Sequence, residues 1–361
     1  MEGSVYTPGA GHSPKVLAGR DVLLRDWHLM LSDVAAAGRV RALDMILVGP
    51  RGVGKTAAVS AFAGLAREQG FEVINLQAVT GQAGLVPSLL RQASSRIADG
   101  AGPWQRAKTL FERIGGFDLS VAGFGAGLSM RDRDPVAQIS DAETLAAALS
   151  ALATETRKEH ATGGVMLTVD ELQVASAPDL ALIAAMLHRL NVDHPSSVVA
   201  FAGTGLPHTP HALRRAGVTH PDRLFVVEPI PLTLTPEDAR YAIVEPARRA
   251  GVMWEPPAAD RIVDVSGGYP AHLQLFADAT WRLSQGPQRI TIADVERAIP
   301  DAASQIERRS LGPRWDRISD RQMEFMAALA LLGGQASTAQ VAKALGRQQR
   351  EISWILDELI T

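Results

Sequence analysis

The chain contains no cysteine. Disulfides and cysteine-ligated zinc are therefore excluded, and the absence fits a reducing cytoplasm. It also lacks an excess of either charge. The formal net charge is −3, so no molecule-wide basic field marks a nucleic-acid binder, while a local basic face stays open. No apolar run reaches the length of a bilayer span, and no membrane partner is expected. The opening MEGSVYTPGAGHSPK has neither a basic n-region nor an apolar h-region, so it does not read as a signal peptide. Its Gly, Pro and Ser content reads instead as a poorly ordered tail over residues 1–15. Lysine is scarcer than arginine and alanine is abundant, which reads as codon bias. What is present is ordinary for a globular protein. The chain has 361 residues, 46% of them hydrophobic, enough for two or three domains with a sizeable core.

The apolar spacing divides the chain. Residues 19–38 show helical periodicity. Short apolar strands are expected at 43–48, 71–78, 165–169, 197–202 and 223–227. Helices are expected at 55–67, 87–97, 141–159 and 178–191. This alternation argues for a parallel α/β sheet covered on both faces. The glycine-rich stretch at 115–130 reads as an inserted β-hairpin. Beyond Pro231 the pattern turns to helices only, at 258–265, 270–283 and 292–308, after a start marked by Thr235 and Pro236. A linker is expected at 311–317. Three short helices follow, at 320–332, 338–345 and 348–359. Ser319/Gln322 and Ser337/Gln340 make capping boxes for the first two. The turn at Gly346 suggests a helix-turn-helix, or a winged helix cut short, since no hairpin follows the third helix. The domains expected are a tail (1–15), an α/β core (16–230), a helical lid (231–310) and the helix-turn-helix (311–361).

Residues 47–56, LVGPRGVGKT, fit the G-x-x-x-x-G-K-T pattern in full, between a strand and a helix. Gly49, Pro50, Arg51, Gly52, Val53, Gly54, Lys55, Thr56 and Ala57 would wrap the phosphates of a nucleotide. The glycines let backbone N–H groups turn inward, and the helix N-terminus adds a positive dipole end. Lys55 would bridge the β- and γ-phosphates and Thr56 would hold Mg²⁺. The bland alternative, a glycine turn with an incidental lysine, leaves the strand and helix around it unexplained. Asp170 and Glu171 follow the apolar VMLTV, so they emerge at the C-terminal end of a buried strand, where open α/β sheets bind ligands. Asp170 would contact Mg²⁺ and Glu171 would polarise the attacking water. Two solvated acids in a turn would look the same in isolation. Thr204, ending the next strand, is placed to meet the γ-phosphate or the water, unless it serves only its turn. Arg214, Arg215 and Arg223 are candidates for an arginine finger in a neighbouring subunit, although exposed arginines are usually just solvated. Gly267-Gly268-Tyr269-Pro270 opens a helix and could close over a base. Arg347, Gln348, Gln349 and Arg350 begin the last helix, where such side chains read base edges in a major groove. Many three-helix units bind only protein.

In series, these motifs resemble the AAA+ ATPases and their STAND relatives, nearest to the subgroup shared by replication-initiator ATPases and archaeal-type STAND ATPases. The matching residues are LAGRD at 17–21, GPRGVGKT, VDELQ at 169–173, AGTGLP at 202–207 and GGYP at 267–270. The resemblance spans residues 16–301, and the terminal helices match the winged-helix domain such proteins often carry. It implies a five-stranded parallel sheet of order 5-1-4-3-2 with a helical lid. It implies ATP and Mg²⁺ as ligands, hydrolysis to ADP and phosphate at a slow, partner-stimulated rate, and a homo-oligomer. Gly19 and Arg20 would lie near the adenine, and Pro270 would close the base pocket. Adenine rests on this resemblance, since no guanine-reading Asn-Lys-x-Asp stretch occurs. Initiator-type members often carry an arginine at the lid helix where this chain has Tyr269-Pro270-Ala271-His272, which leaves His272 as a substitute sensor. Three functions follow: an ATP-driven switch that binds DNA, a signalling or scaffold ATPase whose terminal helices hold a protein, and, least supported, a small-molecule kinase.

Overall fold

The computed structural model describes residues 3–9, 11, 13–37, 44–79, 84–100, 102–115, 135–284, 288–308, 312–315 and 318–360. After α1 (Asp21–Ala37) the chain lays down β1 (Asp44–Val48), α2 (Lys55–Glu68), β2 (Glu72–Gln77), α3 (Leu85–Ala98), α4 (Gly102–Gly115) and α5 (Pro135–Glu159). β3 (Val165–Asp170), α6 (Ala177–Asp193), β4 (Val199–Gly205), α7 (Thr209–Arg215), α8 (Pro221–Leu224) and β5 (Phe225–Pro229) complete the core. The strands pair in the order β2-β3-β4-β1-β5, all parallel, which is the expected 5-1-4-3-2 sheet.

Alternation along each strand sorts side chains to two faces. Ile46, Val48, Ile74, Leu76, Leu167, Val169 and Phe201 pack under α3, α4, α5 and α6. Leu47, Val73, Met166, Ala200 and Ala202 pack under α1 and α2, where Trp27 and Phe62 stack with centroids 4.4 Å apart. Burial on both faces explains why β1, β3 and β4 read as near-continuous apolar runs. α4 was not anticipated. Its buried Trp104, Ala107 and Phe111 lie at helical spacing, and Trp104 Nε1 donates to Glu72 Oε2 (3.0 Å), tying the helix to β2. The expected hairpin at 115–130 lies outside the described residues, apart from Gly115, which ends α4.

The lid holds α9 (Pro236–Arg249), β6 (Met253–Trp254), α10 (Pro256–Ser266), α11 (Pro270–Leu283), β7 (Arg289–Ile290) and α12 (Ile292–Ile306) around a core of its own. The helices-only expectation needs one correction: β6 and β7 pair in parallel, Met253 opposite Arg289 and Trp254 opposite Ile290. Two-residue strands carry too few alternating positions to register as a pattern. Thr235 caps α9 by accepting from the Asp238 N–H (3.1 Å), as its sequence position implied.

The tail is a second correction. Val5 and Tyr6 are buried in the lid core, so this part of residues 1–15 is fixed in place. Tyr6 OH donates to the Ile243 carbonyl (2.7 Å) and accepts from Trp254 Nε1 (2.8 Å). Flanking glycine and proline obscured one aromatic anchor. At the other end, α13 (Gly312–Trp315), α14 (Asp320–Leu331), α15 (Thr338–Ala344) and α16 (Gln349–Ile360) follow the lid. Phe325, Ala328, Val341, Ala342, Ile352 and Ile355 pack together, and both expected Ser/Gln capping boxes form.

Candidate nucleotide site

The C-terminal ends of β1, β3 and β4 lie side by side, since β4 sits between the other two. The loop after β1 needs backbone that only glycine adopts freely: Gly52 and Gly54 have φ of 88° and 92°. Gly54 then caps α2. The Gly49 N–H donates to the Gly205 carbonyl (3.2 Å), anchoring the loop to β4. Lys55 is buried at the base of the loop, with Nζ donating to the carbonyls of Gly49 (2.9 Å) and Pro50 (2.8 Å). Burial pushes its ammonium below the usual lysine range. The Glu171 and Asp170 carboxylates oppose this and Arg51 adds to it. Val53 is buried and Ala57 half-buried in the first turn of α2.

Asp170 gathers two hydroxyls. Thr56 Oγ1 donates to its Oδ2 at 3.0 Å, and Thr204 Oγ1, fully buried, donates to its Oδ1. Glu171 is the one non-glycine residue with positive φ (58°) among the described residues. Such backbone persists only where its surroundings over-determine it. Here the Glu171 N–H donates to Thr204 Oγ1 and to Asp170 Oδ1, both at 3.1 Å. Its side chain receives Gln173 Nε2 on Oε2 (2.6 Å), with the Arg51 guanidinium 4.0 Å from the same oxygen. Gln173 Oε1 in turn accepts from the Leu206 N–H (3.0 Å). Four of the expected residues, Lys55, Thr56, Asp170 and Glu171, thus converge with Thr204. The donor set of hydroxyl and carboxylate oxygens is the hard kind a Mg²⁺ ion takes.

The lid touches this loop directly. Tyr269 OH donates to the Arg51 carbonyl, and the Ala271 N–H to the Gly52 carbonyl (3.1 Å). A Cβ at Gly52 would meet Ala271 Cβ at 2.9 Å and Tyr269 Oη at 3.0 Å. Pro270 and His272 are half-buried beside them. The His272 ring centroid is 4.7 Å from that of Tyr269, and burial holds its imidazole below the usual histidine range. Gly19, with φ of 66°, lies against Asp238 and Leu234 of the lid. Arg20 is buried. Its guanidinium donates to the carbonyls of Val53 (3.2 Å), Pro231 (3.4 Å) and Gly19 (3.0 Å), so it clamps the loop to the start of the lid. Burial lowers its pKa, opposed by Asp238.

Arg214, Arg215 and Arg223 are exposed on α7 and α8, and among the described residues no hydrogen bond or ion pair joins them to the cradle. At the far end Gln348, Gln349 and Arg350 are exposed, whereas Arg347 is engaged by Glu324 (2.7 Å). Sequence reasoning gave no role to Gln173 or to the Tyr269 hydroxyl. Gln173 sits inside the quoted VDELQ, but nothing in its spacing told where its amide would reach. No helix among the described residues is long and apolar enough to cross a membrane.

The family described as "AAA ATPase domain" matches residues 16–199, and a domain of unknown function (DUF8462) matches residues 309–361. No curated protein matches the chain. Among solved structures, a Walker-type ATPase of Pyrococcus abyssi is similar with a TM-score of 0.62 at 15% identity, over 99% of this chain and 93% of that one. The Aeropyrum pernix ORC2 protein, described in ADPNP-ADP complexes, is similar with a TM-score of 0.61 at 14% identity, over 97% and 88%. These two share its fold.

Proposed function

Because the chain belongs to the AAA ATPase domain family, we propose that it is a nucleotide-driven switch in which Mg²⁺-ATP closes the lid on the core and a DNA-binding C-terminal unit carries the output. The observation that carries the reading is the direct bonding of the lid helix to the phosphate loop, through Tyr269 OH and the Ala271 N–H. Whatever shifts the loop carbonyls of Arg51 and Gly52 shifts α11 with them. That the ORC2 protein is described in ADPNP-ADP complexes supports ATP as the ligand of the same fold.

In this reading Thr56 and Asp170 hold Mg²⁺, which would neutralise charge on the phosphates when bound. Lys55 exchanges its carbonyl partners for β- and γ-phosphate oxygens. Thr204 positions Asp170 and the Glu171 backbone. Glu171 accepts a proton from the attacking water. Pro270 and Gly19 border the base, and His272, beside Tyr269 at the start of the lid helix, is the substitute lid sensor. Arg214, Arg215 or Arg223, exposed and unengaged by this chain's cradle, would act on a neighbour's site in a homo-oligomer, which makes turnover slow in the isolated chain. The domain limits 16–230, 231–310 and 311–361 describe the parts of this switch.

DNA contact is assigned to Gln348, Gln349 and Arg350 at the start of α16. A second reading, a signalling ATPase whose terminal helices hold a protein, is favoured by the Arg347–Glu324 pair and by the exposed Leu331, Leu332 and Trp354. Duplex-DNA affinity measured across a salt series, for the full chain and for Gln349→Ala/Arg350→Ala, separates the two. The switch reading expects affinity that falls steeply with salt and drops about tenfold in the variant. Binding that is absent, or indifferent to both, supports the protein partner.

A further inference from the structure

We propose that Gln173 is the positioning residue of the hydrolytic carboxylate, fixing one oxygen of Glu171 and tying it to the end of β4. The proposal rests on the reading of Glu171 as the group that takes the water proton. Gln173 lies in a 3-10 turn (Leu172–Val174) directly after Glu171. Its amide is used at both ends. Nε2 donates to Glu171 Oε2 at 2.6 Å, and Oε1 accepts from the Leu206 N–H at 3.0 Å. The second bond fixes the amide orientation, because only the oxygen can accept from a backbone N–H. The nitrogen is therefore turned toward the carboxylate.

Among the described residues, the two polar contacts to the Glu171 side chain, from Gln173 and from Arg51, both go to Oε2. That arrangement holds one oxygen and leaves Oε1 for a water. The backbone of Glu171 is already constrained at φ 58° by its N–H bonds to Thr204 and Asp170. Gln173 fixes the remaining side-chain freedom. Its anchor, Leu206, directly follows β4 and precedes α7, which carries Arg214 and Arg215. The base is thus placed relative to the segment whose arginines face outward.

The test uses the full chain with Mg²⁺-ATP, comparing wild type, Gln173→Ala, Gln173→Glu, Glu171→Gln and the double variant Gln173→Ala/Glu171→Gln. Gln173→Glu keeps the size of the side chain and an acceptor for Leu206 but places a second carboxylate against Glu171. The expected result is a kcat about tenfold or more lower in both Gln173 variants, the loss of one hydrogen bond to a charged group. Nucleotide affinity stays within about twofold, and thermal melting with ATP confirms folding of each variant. In the double variant Gln173→Ala adds no further loss. Wild-type or raised kcat in the Gln173 variants, or a loss that appears in nucleotide affinity and not in kcat, while Glu171→Gln is inactive, overturns this proposal and leaves the base reading intact. Full hydrolysis by Glu171→Gln overturns both.

Discussion

Gly52 shows how little room the site leaves at single positions. Its φ of 88° is unfavourable for any side chain, and a methyl there would press on Ala271 and Tyr269 of the lid. Gly52→Ala is therefore expected to weaken ATP binding by about fivefold to thirtyfold, since backbone strain of about 1–2 kcal/mol falls on the phosphate loop itself. Titration with a fluorescent ATP analogue reads this directly, and unchanged affinity would show that the lid contact is dispensable. Asp44 gives a second prediction, away from the site. Burial raises its carboxyl well above the ordinary range, with the Phe201 backbone hydrogen bond opposing. The folded state then binds a proton that the unfolded state has released. Stability is present below the unfolded pKa of about 3.9 and is lost as pH rises toward the folded value. Asp44→Asn removes the group that ionises. Its melting temperature should gain on wild type as pH is raised from about 4 to about 9. A gap that stays constant would mean Asp44 does not titrate in that interval.

At the scale of elements, the amino-terminal segment acts as a strap on the lid. Tyr6 lies edge-on to Trp254 and to Trp281, with centroids 6.3 Å and 6.0 Å away. Tyr6→Ala should cost about 3–5 kcal/mol through the cavity it leaves. Tyr6→Phe should cost about 1–3 kcal/mol, because the Trp254 N–H loses its partner. Chemical denaturation followed by tryptophan fluorescence distinguishes the two sizes, and a Tyr6→Ala loss below that of Tyr6→Phe would contradict the packing account. This strap was illegible in the sequence because one tyrosine among glycines and prolines has no period. The elements with a period were legible. β1, β3 and α2 followed from apolar runs and from the glycines between them, and α9, α14 and α15 from their cap residues. α4 was missed although Trp104, Ala107 and Phe111 carry its spacing. At the candidate site, the convergence of Lys55, Thr56, Asp170 and Glu171 was readable because they lie where strands end or a helix begins. Gln173 and Tyr269 act through the reach of a side chain across loops, which linear spacing does not encode. The same holds for Arg20, whose guanidinium turns to the carbonyls of Val53 and Pro231.

For the molecule as a whole, three packed units are linked in one direction. The strand ends hold the phosphate loop, the loop carbonyls hold the lid helix, and the lid leads into the terminal helices. In the proposed switch, nucleotide would act on the lid wherever it changes the loop. An output on DNA further requires that the terminal unit feed back on hydrolysis. The most direct measurement is Mg²⁺-ATP turnover by the full chain and by Glu171→Gln, each with and without duplex DNA. Turnover is expected to rise on adding DNA and to fall by at least about a hundredfold in Glu171→Gln, the size expected for loss of a positioned base. Turnover indifferent to DNA would contradict the DNA-linked switch, and turnover undiminished in Glu171→Gln would contradict the assignment of the site's chemistry.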